Sequence, residues 1–202
     1  MTTPERTKIV EALPYESRIA FIAFCVERCF REARRHRAAE EQLSKLPLLG
    51  QGLDMLWSRA EHGVTPDPDR VDAVLQHVLT YETPAEDMEN VIYNYDIAIV
   101  EGGRMLGKGM RALQDPEKAT PRYVAGAVSG PYVSVAQIYA DYQNARNAEL
   151  AVEDTALQRL HDWGKKPFSR VVFEGIPEWP RGELSKRYAE NRLTGSAEDD
   201  DE

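Results

Sequence analysis

The chain has 202 residues, a formal net charge of −9, 42% hydrophobic and 29% charged residues, and a mean hydropathy of −0.52. These values exclude a chain too polar to collapse, and the length suffices for one core without disulfide or metal staples. The longest apolar run, Ile19 to Val26, is eight residues, against about 20 for a membrane-crossing helix, and Glu5, Arg6, Lys8 and Glu11 interrupt any export signal. A cytoplasmic location is expected.

Ile9, Val10 and Leu13 at helical spacing after Thr3 and Pro4 predict a short first helix with Thr3 as cap. Pro14 resets the chain. From Tyr15 to about Lys45 the pattern predicts one long helix, with Ile19, Ala23, Val26, Phe30 and Ala33 on one stripe. Its first half is apolar nearly all round and should be central; its second half is amphipathic and should emerge toward solvent. Pro47, Gly50 and Gly52 read as a break before a helix over Leu53 to Ala60 that Gly63 ends. Asp67 as cap and Pro68 in the first turn open the next, with Val71, Val74, Leu75 and Val78 inward and an end near Tyr81.

Thr83 and Glu86 form a capping box for a helix reaching at least Val100, with Met88, Ile92, Tyr95, Ile99 and Leu106 on its apolar stripe. Gly102, Gly103, Gly107 and Gly109 oppose helix propensity, so they mark either close packing or a kink. After the linker Asp115 to Pro121, a short segment leads to Gly130, and Pro131 opens a long helix that stops at Gly164. The stretch Ser169 to Pro180, rich in β-branched and aromatic residues, reads as extended: a short edge strand or a strap across the bundle. A last helix over Arg181 to Arg192 precedes the tail. The expected fold is all-α, a multi-helix bundle or helical array with at most one short C-terminal extended segment. Residues 1–194 would form one domain and 195–202 a disordered acidic tail.

The last five residues are all acidic, which leaves the body at −4. That balance argues against nucleic acid as a partner. Gly102, Gly107 and Lys108 imitate part of a phosphate loop, but Gly109 stands where Ser or Thr belongs and the preceding segment is helical. His36, His62, His77 and His161 fall on four segments, and Cys25 and Cys29 lack a histidine at ligand spacing. The two thiols read as reduced and buried. No catalytic set, metal site or cofactor motif emerges, which leans the reading away from an enzyme.

Two charge clusters remain. Between Glu82 and Glu101 there are six carboxylates and no Lys or Arg. Glu82, Glu86, Asp87, Glu89, Tyr93 and Glu101 form a candidate partner-binding surface, the alternative being a solvated helix face. Arg28, Arg31, Arg34, Arg35 and Arg37 outweigh Glu32 to give a local +4. Arg28, Arg31 and Arg35 are the candidate ligand-binding set; otherwise these arginines pair with acidic helices and bury their stems along the bundle.

Arg18, Ala20, Phe21, Glu27 and Arg28, then Leu53, Asp54, Leu56 and Trp57, then Pro84, Glu86 and Asp87, and finally Asp96 and Ala98 carry a resemblance. Over roughly residues 15–145 the chain resembles the YjaG-like family of bacterial all-helical proteins and immunity-type proteins similar to it. The resemblance implies an all-helical bacterial cytosolic protein and hints at immunity. Together with the acidic interval it suggests a non-enzymatic immunity or antitoxin-like protein that masks a basic protein partner, such as a toxin. The alternatives are a small-molecule or phosphate-binding regulator, or a weak hydrolase, built on the arginines, and a module that homo-oligomerises through its glycine-bearing helix.

Overall fold

A computed structural model describes residues 1–34, 37–79, 97–125 and 142–176. The described residues form an all-α helical array. In chain order it comprises α1 (Thr3–Ala12), α2 (Tyr15–Ala33), α3 (Arg37–Ser44), α4 (Pro47–His62), α5 (Pro68–Val78), α6 (Ile97–Gln114), α7 (Pro121–Ala125) and α8 (Tyr142–Trp163). Short 3-10 turns occupy Pro116–Lys118 and Arg170–Phe173. No helix among the described residues is long and apolar enough to cross a membrane.

Helix α2 is the axis of the array, packed on α6 and α4, while α6 also packs on α5. Its first half buries side chains on every side, from Ile19 through Val26 except the half-buried Phe24. Each large apolar side chain removed from water there contributes about 1.5–3 kcal/mol, which explains why an all-apolar stretch occupies the centre and not an edge. The long helix expected to Lys45 is divided. Residue Arg34 closes α2, its backbone amide shared between the carbonyls of Phe30 and Glu32, and α3 begins separately at Arg37.

Helix α1 is capped one residue earlier than expected. The Thr2 side chain accepts from the Glu5 amide and the Glu5 carboxylate accepts from the Thr2 amide, a complete capping box with Pro4 in the first turn. The Arg18 guanidinium gathers the far end, donating to the carbonyls of Val10, Glu11 and Leu13 at 3.0–3.1 Å and to Ala119 at 3.0 Å. One side chain thus serves two of the orphan acceptors of α1, Val10 and Glu11, with the cap residue Leu13, and ties them to Ala119 just before α7.

Helix α4 begins at Pro47, so Gly50 and Gly52 lie inside it and do not break it. A side chain at Gly52 would meet Leu106 and Val74 at 2.9 Å, so the glycine lets α5 and α6 come close. Gly63 ends α4 in left-handed backbone (φ +66°), where any other residue would cost about 1–2 kcal/mol. Asp67 caps α5 as expected, and that helix stops at Val78, short of Tyr81. The glycines of α6 mark close packing: a β-carbon at Gly102 would lie 2.5 Å from the Phe30 ring, and one at Gly109 would lie 2.8 Å from both Leu56 methyls.

The expected edge strand is not formed over Ser169 to Ile176. Ser169 caps a 3-10 turn at Arg170–Phe173, and the segment acts as a strap: Phe168 and Val172 are buried and Phe173 stacks on Phe24 with ring centroids 4.6 Å apart. A lone strand here has no neighbour to pair with among the described residues, whereas a turn lets apolar residues face the bundle. The remainder of that stretch, the capping box at 83–86 with the helix that follows it as far as residue 96, the start of the last long helix at Pro131, the final helix over 181–192 and the tail 195–202 lie outside the described residues.

Candidate functional site

The α2 residues Phe24, Glu27, Arg28 and Arg31 are spaced to share one helix face, and the strap crosses in front of them. Between that face, Trp57 of α4 and the residues Arg170, Phe173, Glu174, Gly175 and Ile176 lies a half-open cavity of about 320 Å³. The strap is anchored on both sides. Arg159 of α8 donates to the carbonyls of Val172 and Glu174, the Trp163 indole donates to the Pro167 carbonyl at 3.0 Å, and Arg170 Nε donates to Glu61 at 3.0 Å.

Three aromatic rings make the apolar part of the wall. Phe173 stacks on Phe24 and meets Trp57 edge-on at 6.1 Å, and Phe168 lies behind, parallel to Trp57 at 6.1 Å. Trp57 is almost fully buried, and its indole N–H has no hydrogen-bond partner among the described residues. Three cations complete the wall. Arg170 lies over the Trp57 ring at 4.3 Å from its centroid, Arg28 over Phe24 at 5.5 Å, and Arg31 is 53% exposed with Nη2 2.7 Å from Glu27 Oε1. Against these stand the carboxylates Glu27 and Glu174, so the lining carries a net +1. A second cleft, of about 300 Å³, sets Arg70 against Asp54 and Asp67 with no aromatic ring in its lining.

Behind the cavity, Arg28 turns into the protein. It is 7% exposed and binds the buried Glu149 of α8 through two parallel N–H donors, Nε to Oε1 and Nη2 to Oε2. Burial works against the guanidinium charge, but the hydrogen bonds and charge of Glu149 outweigh it and hold the Arg28 pKa above its ordinary value. One turn further along α8, Glu153 is fully buried, and neither of its oxygens has a hydrogen-bond partner among the described residues. Burial, reinforced by the negative charge of Glu149, pushes its pKa well above the usual carboxylate range. Cys25 faces the same cluster, and burial followed by the charges of Glu153 and Glu149 pushes its thiol well up as well. Cys25 and Cys29 are buried and not joined in a disulfide, and the surroundings of Cys25 suppress the thiolate needed for redox or nucleophilic work.

Of the arginines singled out in the sequence, Arg28 and Arg31 meet at the cavity, while Arg35 lies outside the described residues. Of the acidic surface, Glu82, Glu86, Asp87, Glu89 and Tyr93 lie outside them too. Glu101 is described, and it does not sit on an open face: it is buried, its carboxylate receives Arg104 Nη1 at 3.1 Å, and burial raises its pKa. The stretch Gly102 to Gly109 is interior helix and forms no phosphate loop. Among the described residues no group of three or more His, Cys, Asp and Glu side chains could hold a metal ion.

Sequence reasoning passed over Trp57 as a wall, Arg170, Phe173, Glu149 and Glu153. The cavity depends on pairings more than 100 residues apart, such as Arg28 with Glu149 and Glu61 with Arg170, and no local motif encodes those. One trace was present: Glu149, Glu153, Ala156 and Leu160 recur at helical spacing, which sets two carboxylates on the stripe that α8 turns inward. Comparison with protein-family models, curated proteins and solved structures gave no match.

Proposed function

We propose that the protein is a non-enzymatic binding protein that holds a small organic anion with a flat apolar body in the cavity between α2, α4 and the strap. The observation that carries this reading is the convergence of Arg28, Arg31 and Arg170 with Phe24, Trp57 and Phe173 around about 320 Å³ of space. Small-ligand sites combine a mainly apolar wall with a few polar groups that fix orientation. Here the rings supply stacking surface, Arg28 and Arg31, whose forks are held by Glu149 and Glu27, supply positive field, and Arg170, with Nε on Glu61 and its guanidinium over Trp57, supplies the donor for a carboxylate or phosphate.

Among the described residues of the lining no nucleophile stands beside a base, which favours binding over catalysis. A thermal-shift titration with benzoate, phenyl phosphate and inorganic phosphate tests the reading. The two aromatic anions should stabilise the protein, by about 2.7 kcal/mol at a hundredfold excess over Kd, with inorganic phosphate much weaker. Arg170→Ala should abolish the effect. Stabilisation by none of the three, or equal stabilisation of Arg170→Ala, removes the proposal.

A further inference from the structure

Among the described residues, the buried cluster behind the cavity has more acid than base. On α8, Glu149 and Glu153 are one helical turn apart and both are buried. The cation that reaches them from α2 is Arg28, and both oxygens of Glu149 are engaged by its two N–H donors. From α1, Arg6 adds a favourable field, but its Nε is bound to Asp154 at 2.6 Å, and Asp154 also receives the N-terminal amine at 2.6 Å. Cys25 of α2 faces the pair as a neutral thiol. Glu153 therefore sits between a carboxylate already matched to its arginine, a spoken-for Arg6 and an uncharged sulfur.

We propose that Glu153 is a proton-dependent lock on the seam between α8 and α2, closed when its carboxyl holds a proton and opened when that proton leaves. A neutral carboxyl can remain dry at this position. An ionised one with no donor cannot, because an unpaired buried charge costs several kcal/mol even after relaxation. Deprotonation sends the proton to solvent and leaves two carboxylates facing one guanidinium. The seam relaxes by admitting water or by drawing Arg28 from Glu149 toward Glu153. Either outcome alters the guanidinium that lines the cavity, so the lock couples proton activity to the cavity wall. The lock does not depend on the cavity having a ligand, and its test uses the ligand-free chain.

Hydrogen exchange measured from pH 5 to pH 9, corrected for intrinsic amide chemistry, reads the opening directly. Amides of α8 around Leu150 to Leu157 should lose protection by about tenfold per pH unit across the titration of one proton, while amides of α5 stay level. In Glu153→Gln the α8 profile should be flat. Infrared spectra should show a protonated-carboxyl carbonyl band in the wild-type chain at neutral pH that is missing in Glu153→Gln. A flat wild-type profile overturns the proposal, as does an unchanged slope in Glu153→Gln or a wild-type spectrum without the band. If Glu153→Gln fails to fold, the wild-type exchange profile and band decide alone.

Discussion

Replacing glycine by alanine at three helical positions should give opposite signs for reasons fixed by packing. In an exposed helix the change gains about 1 kcal/mol of propensity. Gly50 lies on the exposed side of α4 with nothing within 4 Å of where a β-carbon would go, so Gly50→Ala should stabilise by about that amount. At Gly102 the new methyl would lie 2.5 and 2.9 Å from two atoms of the Phe30 ring and 3.1 Å from Cys29 Cβ. The ring is rigid and fully buried, and a backbone-proximal Cβ cannot swing aside. Overpacking of this kind costs about 1–3 kcal/mol, more than the propensity gain, so Gly102→Ala should destabilise by about 1–2 kcal/mol. Gly109→Ala meets the two Leu56 methyls at 2.8 Å, ends of a side chain that can rotate, and should fall between the other two. Urea unfolding at equilibrium measures all three, with midpoints expected in the order Gly50→Ala, Gly109→Ala, Gly102→Ala. A Gly102→Ala midpoint at or above the wild-type value would refute the close approach of α6 to α2.

Glu149→Leu removes the carboxylate that holds both forked donors of buried Arg28 and should cost up to about 3–5 kcal/mol, less in so far as Glu153 ionises to take the guanidinium, whereas Arg28→Met combined with Glu149→Leu should recover most of the loss; urea midpoints of the single and double variants check this. Arg18→Lys keeps the charge but loses the fork that reaches four carbonyls, and should cost about 2–3 kcal/mol in the same assay. Stability should also fall as pH rises above the ordinary carboxylate value of 4.5. The folded-state pKa of Glu153 is raised, so the native state binds more protons than the unfolded one, and the contribution is complete below 4.5 and lost progressively toward the folded value. Unfolding midpoints from pH 4 to pH 9 for the wild type and Glu153→Gln should converge at the acid end and separate above it, the glutamine variant being the more stable.

Local chemistry made much of the fold legible. The apolar run around Ile19 to Val26 placed α2 at the centre, and Asp67 with Pro68 and the stop at Gly63 fixed two helix ends, because caps and all-round burial act within a few residues. Gly50 and Gly52 misled, since glycine inside a helix weakens propensity whether or not a neighbouring helix fills the space it leaves. The division after Arg34 was hidden by uninterrupted helical spacing. The strap looked like a strand because β-branched and aromatic residues suit both an extended edge and a turn that buries apolar side chains. At the site, Arg28 and Arg31 were visible as an unbalanced basic cluster, and Glu101 as part of an acidic one. Arg104, three residues from Glu101 on the same helix, is a local partner, whereas Glu149 and the rings of Trp57 and Phe173, which decide what the arginines do, are brought in by tertiary folding from other segments.

The most direct test of the binding account is a titration of the isotope-labelled protein with phenyl phosphate, followed by nuclear magnetic resonance at the Trp57 indole N–H and the side chains of Arg28, Arg31 and Arg170. The account predicts a saturable shift of the Trp57 signal together with those of the three arginines, lost in Arg170→Ala. Shifts that grow without saturation, or that saturate at residues away from the cavity while Trp57 stays still, would contradict it.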